Sequence, residues 1–302
     1  MSAEKYKSIK LIILAILLGI IGVYAYNFGV RQVKIYSFSK VCPLPKQAGN
    51  ADFYAEYLED YILSIIFSGV KNGSYIDVGA NDPTFISVTK HFYNKGWRGI
   101  NIEPIPHAYE LFLKERPEDI NVSIGISNKK AEMKLYRIYS VEANNKQTDG
   151  LSTFSKEIFL KAKRDAFANN YKFGIFNIPV NTLNSVLQLH PLDKIDFMNI
   201  DVEGSEKQVL EGMDLKKYRP SVFIIEAVEP RIQTPSHDTW EPILLNNNYE
   251  FMLFDGVNRY YLAKEYREKF MNNFKKAYGC AQKANEIFRI IDKEFIKNDS
   301  LF

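Results

Sequence analysis

The chain is poor in the residues that build metal clusters and disulfide scaffolds. Its 302 residues include only two cysteines, Cys42 and Cys280, and four histidines. Two distant cysteines give neither a metal-ligand spacing nor a disulfide framework, so they read as incidental and assign no redox compartment. Charge of one sign is scarce too. Lys and Arg total 39 against 36 Asp and Glu, a net charge of +3, which makes no electrostatic case for a nucleic-acid partner. There is no internal repeat and no low-complexity tract. The 46% hydrophobic and 25% charged content is that of a globular protein.

One stretch lacks charge altogether. No charged residue falls between Lys10 and Arg31, and 11–23 is almost wholly aliphatic. A membrane-spanning helix needs about 20 mostly apolar residues, so residues 11–30 are expected to cross a membrane once, as part of an anchor over 1–30. Tyr24 and Tyr26 suit the headgroup level. A cleaved signal peptide competes: Lys5, Lys7 and Lys10 form a basic start, and Val23-Tyr24-Ala25 could be cut. The apolar character continuing past that site favours the anchor over cleavage, and over a buried core helix. The flanks do not orient it, because Arg31, Lys34, Lys40 and Lys46 on the far side balance the three lysines.

Beyond the anchor, Pro43, Pro45 and Gly49 mark a linker over 31–51. Apolar residues at helical spacing predict an amphipathic helix over 52–67. Strands are then expected at 75–78, 99–102, 121–126, 195–200, 222–227, 251–254 and 258–263. Helical stretches fall between them at 87–94, 107–114, 205–211 and 240–246. The section from 132 to 169 is less regular: it holds residues 132–139, a polar turn around 144–149 and a helix over 156–169. Asp255-Gly256-Val257 suits a hairpin turn. Repeated strand–helix units predict a mostly parallel sheet with helices on both faces, and the terminal hairpin would add an antiparallel edge. Residues 264–302 form a helical extension, expected to pack on the domain or a second subunit; acidic residues dilute its basic face and weaken a membrane-surface reading.

Ser74-Tyr-Ile-Asp-Val-Gly-Ala-Asn81 reads as a buried strand running into a small-residue turn. Glycine at such a turn lets backbone approach a ligand closely, and ligands of open α/β sheets sit at the carboxyl ends of strands. The next strand ends in Glu103-Pro104, about twenty residues further on, where an acid meets ribose hydroxyls in dinucleotide sites. The missing glycines matter as much. The turn reads Gly-Ala-Asn-Asp-Pro, without the second and third glycines of a pyrophosphate cradle, which disfavours a dinucleotide and favours a nucleoside cofactor. A second constellation, Ile195-Asp-Phe-Met-Asn-Ile-Asp201-Val-Glu203-Gly204-Ser205-Glu206, runs a strand into two carboxylates. Alternation places Asp201 and Glu203 on one side of the strand end, where they could act as a general base or hold a hard cation. The plainer alternative is that Ser205 and Glu206 cap the following helix and Asp201 is structural.

These residues, in order, carry a resemblance. Asp77-Val-Gly-Ala-Asn81, Glu103-Pro104, Gly150-Leu-Ser-Thr153, Val180-Asn-Thr-Leu183, Ile200-Asp-Val-Glu-Gly204 with Glu206, Ile225-Glu226 and the Phe254-Asp-Gly ending resemble the FkbM family of S-adenosylmethionine-dependent methyltransferases. The similarity covers roughly 52–263. It implies a class I methyltransferase, Rossmann-like fold: a seven-stranded sheet with helices on both faces, whose last strand is antiparallel. It also implies S-adenosylmethionine as cofactor. Asp77, Gly79 and Asn81 would line the methionine and ribose portion, Glu103 would bond the ribose hydroxyls, and Gly125-Ile126-Ser127 would lie near adenine. Glu59 and Asp60 would close the pocket from the preceding helix. Where many relatives have glycine two positions after Asn81, this chain has Pro83.

The resemblance implies O-methylation of a carbohydrate or small-molecule hydroxyl, and the expected anchor inclines the reading towards a glycan or glycolipid. Transfer needs an acceptor aligned with the methyl group and stripped of its proton. Asp201 is the expected base or metal ligand, supported by Glu203, so a divalent metal is possible; His107 and His237 are rivals for the base. The catalytic domain is expected to face a compartment that holds S-adenosylmethionine. An anchored glycosyltransferase, with Asp201 and Glu203 holding a metal and a nucleotide sugar, is the alternative enzyme, and a binding protein on a degenerate methyltransferase fold is the third reading.

Overall fold

A computed structural model describes residues 42, 53–141, 147–164, 171–229 and 234–299. The expected anchor over 1–30 lies outside the described residues, as does the linker apart from Cys42. No described helix is long and apolar enough to cross a membrane.

Eleven strands are described: β1 Ser74–Val78, β2 Arg98–Ile102, β3 Ile120–Val122, β4 Gly125–Ile126, β5 Ala131–Val141, β6 Gln147–Thr148, β7 Lys172–Asn181, β8 Phe197–Ile200, β9 Val222–Glu226, β10 Tyr249–Phe254 and β11 Asn258–Ala263. Seven make one sheet in the order β10-β11-β9-β8-β1-β2-β3. β3, β2, β1, β8 and β9 run parallel, and β11 runs antiparallel to both β9 and β10. The antiparallel strand is therefore not the edge that a terminal hairpin suggested. β11 inserts between β9 and β10, so the edge strand β10 keeps the common direction.

Register explains why this sheet is buried on both faces. Ile100, Ile76, Met198 and Phe223 lie side by side across β2, β1, β8 and β9, and Ile102, Val78, Ile200 and Ile225 form the next row. Both rows belong to the main apolar core. Successive side chains alternate faces, so Tyr75, Asp77, Phe197 and Asn199 point the other way. There an aromatic cluster collects: Phe197 lies 4.9 Å from Phe92 and 5.9 Å from both Trp97 and Phe67, ring centre to ring centre.

The irregular section builds a second sheet, ordered β4-β7-β5-β6. The single strand expected over 121–126 is two, with β3 in the main sheet and β4 in the small one. β7 was not expected; Gly174 and Pro179 fall within it, Pro179 at an exposed position. The helix over 156–169 is described as Lys156–Arg164, and the helix over 52–67 contracts to Glu59–Ile66.

Residues 45–281 form one compact unit. The C-terminal helix Arg267–Asp299 belongs to it as far as Ala281, burying Phe270, Phe274, Ala277 and Ala281. Asn273 Nδ2 donates to the Ile66 carbonyl at 2.9 Å, and the Phe270 ring stands 5.2 Å from Phe67. From residue 282 the helix falls in a second unit. Neither Cys42 nor Cys280 is a free thiol; both are disulfide-bonded. Their reading as incidental is corrected.

Candidate active site

β1, β2 and β8 end at one cleft, and each end turns sharply. After β1, Gly79 adopts φ +83° and Asn81 φ +53°. The N–H groups of Gly79 and Ala80 donate to the Ile102 carbonyl at 3.0 and 3.2 Å, and that of Asp201 donates to Val78 at 3.0 Å. The three strand ends are thus bonded through main chain. A Cβ on Gly79 would lie 1.8 Å from the Asp201 carbonyl oxygen, so glycine is the residue that allows this approach. After β8, Glu203 and Gly204 both have positive φ, at +54° and +95°. Thr153 Oγ1 donates to the Glu203 carbonyl at 2.6 Å, while the Gly204 N–H donates to Glu206 Oε1 at 2.9 Å. Ser205 caps nothing through its side chain.

The cleft is lined by Gly79, Asn81 and Glu103 on one side, by Asp201, Val202 and Glu203 on another, and by an apolar slot of Ile102, Ile124, Ile126, Leu135 and Phe154. Gly125 sits in the slot wall, where a Cβ would meet Phe154 at 2.6 Å. Asp149 and Gly150 close it from the small sheet's side. Asp149 is held in place: Arg137 Nε and Nη2 donate to its two oxygens at 2.5 and 3.0 Å, and His107 Nε2 lies 3.1 Å from Oδ2.

Glu103 follows β2 and is 5% exposed. Its Oε2 accepts the Asn81 N–H at 2.8 Å and Oε1 the Ile105 N–H at 2.7 Å. A carboxylate offers about four acceptor sites, so both oxygens can still accept from a ligand. Burial pushes its pKa up to about 8, against the lowering effect of the two N–H donors and with the Asp149 charge adding to the rise.

Asp201, Glu203 and Glu226 each bring one carboxylate oxygen within 4.8 Å of the other two. Asp201 and Glu203 do stand together, but not through strand alternation: β8 ends at Ile200 and Glu203 lies in a left-handed turn beyond it. Asp201 is exposed to the cleft, yet enough protein surrounds its carboxyl that desolvation, followed by the charges of Glu206 and Asp77, pushes its pKa up to about 7. Glu226, at the end of β9, is raised well above the carboxylate range by burial and by the charges of Glu203 and Asp201. Its carboxyl lies beside that of Asp201, whose pKa it lowers. The trio can hold a proton between acids, serve as a base, or ligate a hard cation through oxygen.

Two expected site residues lie elsewhere. Asp77 is 2% exposed and turned beneath the glycine turn. Its Oδ1 accepts from Asn199 Nδ2 at 3.0 Å and its Oδ2 from Thr89 Oγ1 at 2.9 Å, which offset the burial that raises its pKa. It supports the cleft floor from behind. Asp60 is 0% exposed and accepts main-chain N–H groups of Tyr54, Ala55 and Tyr61 at 2.5, 3.2 and 2.9 Å. It pins the segment before its helix. Glu59 does similar work, accepting from Tyr57 N–H and Asn258 Nδ2, both at 2.9 Å. The rival bases are also engaged outside the carboxylate trio: His107 with Asp149, and His237 Nε2 at 3.1 Å from Arg259 Nη1.

Sequence reasoning gave Glu226 no site role, although it carries the same strand-end signal as Glu103. Asp149, Leu135 and Phe154 carry no such signal, because the second sheet alone delivers them to the cleft.

The family model of the methyltransferase FkbM domain matches residues 77–251, more than half of the chain. No curated protein matches in sequence. A methyltransferase FkbM from Methylobacillus flagellatus KT is similar in structure at 16% identity and TM-score 0.38, over 66% of this chain and 47% of that one, so this chain spans about half its length. A TehB-like SAM-dependent methyltransferase from Corynebacterium glutamicum ATCC 13032 Kitasato is similar at 9% identity and TM-score 0.37, over 80% of this chain and 100% of that one. With its family model spanning the glycine turn, Glu103 and the carboxylate trio, this chain belongs to the FkbM methyltransferase family.

Proposed function

We propose that this chain is an S-adenosylmethionine-dependent O-methyltransferase acting on a hydroxyl of a sugar, glycan or glycolipid. The observation that carries the reading is the convergence of two acidic centres on one cleft. Glu103 stands beside the glycine turn, and Asp201 with Glu203 and Glu226 stands at the neighbouring strand ends. The residues suit this cofactor. Glu103 is placed to accept from ribose hydroxyls, the apolar slot with Phe154 matches an adenine ring, and Gly79 leaves room for close backbone approach.

When bound, the cofactor supplies an activated methyl group. The protein's task is then to orient the acceptor and take its proton. An Asp201 carboxyl that titrates near 7 is matched to that task, since a general base works best with a pKa near the operating pH. Glu226, whose carboxyl stands within 4.8 Å of that of Asp201, lowers the affinity of Asp201 for the proton. The glycan or glycolipid acceptor rests on sequence alone: an anchor over 11–30 would hold the enzyme beside acceptors borne on lipid.

The three carboxylates also support a second reading, in which they bind a divalent cation that lowers the acceptor's pKa. A radiolabelled methyl-transfer assay on glycans from cells lacking the protein tests both. Incorporation into a carbohydrate fraction supports the main reading, and absence of transfer to any carbohydrate sinks it. Loss of transfer in EDTA with recovery in Mg2+ or Mn2+ selects the cation; indifference to EDTA selects the direct base.

A further inference from the structure

Arg116 is the C-cap of helix Pro106–Glu115 and is 0% exposed, a place where a guanidinium is found only when paired. Its fork is spread over the loop that follows the glycine turn. Nε donates to the Pro83 carbonyl at 3.0 Å, Nη2 donates to the same oxygen, and Nη2 also donates to Ser87 Oγ at 3.0 Å. Nη1 donates to the Tyr75 hydroxyl at 3.3 Å and to Thr89 Oγ1 at 3.4 Å, and stands 3.6 Å from Asp119 Oδ2. Thr89 in turn donates to Asp77 Oδ2 at 2.9 Å. One side chain therefore ties the loop over 82–87 to β1, through Tyr75 directly and through Thr89 to Asp77.

This loop needs holding. Asn81 and Ile86 have φ of +53° and +52°, and a β-branched residue is strongly disfavoured there. Such conformations persist when the surroundings over-determine them. A parallel bridge between Ala55 and Ile86 holds one end, and the Asn81 N–H on Glu103 holds the other. Between them lies Pro83, which has no N–H to donate. Asp82 Oδ1 accepts the N–H groups of Thr84 and Phe85 within the loop, and Thr84 Oγ1 donates to Glu115 Oε2 at 2.7 Å, while Arg116 holds the Pro83 carbonyl with two donors.

We propose that Arg116 is a positioning residue for the cofactor: its fork on Pro83 and Ser87 sets the 81–87 loop so that Asn81 and Glu103 meet the ligand already in place. This rests on reading the cleft as an S-adenosylmethionine site. A loop fixed before binding loses less ordering entropy on binding, so loosening the fork weakens affinity without removing any group that touches the ligand.

Arg116→Lys keeps the positive charge near Asp119 and Asp77 but loses the planar fork. In calorimetry on the full-length chain, below the melting temperature of both proteins, the variant should bind S-adenosylmethionine about tenfold more weakly. An equal dissociation constant overturns the proposal, because a guanidinium that merely supports the fold would lower the melting temperature alone. Hydrogen exchange on the unsubstituted chain covers a variant that fails to fold. Amides of Thr84, Phe85 and Ile86 already protected without ligand support the proposal; amides that exchange freely until S-adenosylmethionine is added overturn it. Failure of the unsubstituted chain to bind S-adenosylmethionine refutes the cofactor reading and this proposal together. Tight binding with an unaffected variant refutes only the role of Arg116.

Discussion

The main-chain N–H of Asn81 donates to Glu103 Oε2 at 2.8 Å, joining the turn after β1 to the acid after β2 by a single bond. The residue that would read the ribose thus also fixes the turn that approaches it. Glu103→Ala would leave the N–H groups of Asn81 and Ile105 without that acceptor, a cost of about 1–3 kcal/mol for each buried group. It should weaken S-adenosylmethionine binding by about thirtyfold or more and lower the melting temperature. Calorimetry beside a thermal melt checks both; undiminished affinity would take Glu103 out of the ribose site.

Glu103 also makes a pH prediction. Its pKa in the folded chain is about 8 against an ordinary 4.5, so folding favours the neutral carboxyl. The stability that this group contributes is full below 4.5 and is lost as pH rises towards about 8. Glu103→Gln removes the titration. The melting temperature of the variant minus that of the unsubstituted chain should therefore climb, by roughly a few degrees, between about pH 5 and about pH 9. A difference that stays flat would show that Glu103 titrates normally.

Asp201→Asn should cut turnover by about 10²–10⁴, the usual contribution of a general base, while cofactor affinity stays within about threefold. Glu226→Leu tests the coupling. Asp201 acts as a carboxylate, so the rate should rise through pH 7 in the unsubstituted chain. Glu226, itself raised well above the carboxylate range, lowers the Asp201 pKa, so removing its carboxyl should raise that pKa and move the rising limb to higher pH. A limb that stays put, or moves down, contradicts the pairing.

Gly79→Ala is the most severe single change expected in the cleft. The new Cβ would stand 1.8 Å from main-chain oxygen of Asp201, at φ +83°. Neither obstacle is a flexible side chain. A loss of about 3 kcal/mol or more is expected, roughly 6–12 °C in melting temperature for a domain of this size. A melting temperature within about 2 °C of the original would mean that the strand ends can part without cost.

Much of the cleft could be read from the chain because strand-end carboxylates and a glycine turn are local features. Gly79, Asn81, Glu103, Asp201 and Glu203 all stand at the cleft. Asp77 and Asp60 do not, and the reason is direction: alternation turns Asp77 to the face opposite Val78, and main-chain donors of Tyr54 and Ala55 draw Asp60 inward. Non-local pairing was the other blind spot. The turn at 255–257 announces the pairing of β11 with β10, but nothing in the residues 258–263 says that the strand's other side will pair with β9. Nothing in the residues 172–181, broken by Gly174 and Pro179, announces the longest pairing of the small sheet, with β5.

The small sheet begins and ends at one point. Gly125 pairs with Val180 and Ile126 with Asn181, and the Ser127 N–H donates to the Asn181 carbonyl at 2.9 Å. The intervening chain leaves and rejoins the main fold through adjacent main-chain atoms, like a cassette in a socket. Exchange of residues 128–180 between relatives therefore becomes a practical route to new acceptors, since the seven-stranded sheet need not change its pairing. The graft must bring its own counterparts of the Arg137–Asp149 pair and of Thr153, which holds the Glu203 carbonyl, because that wall of the cleft travels with it.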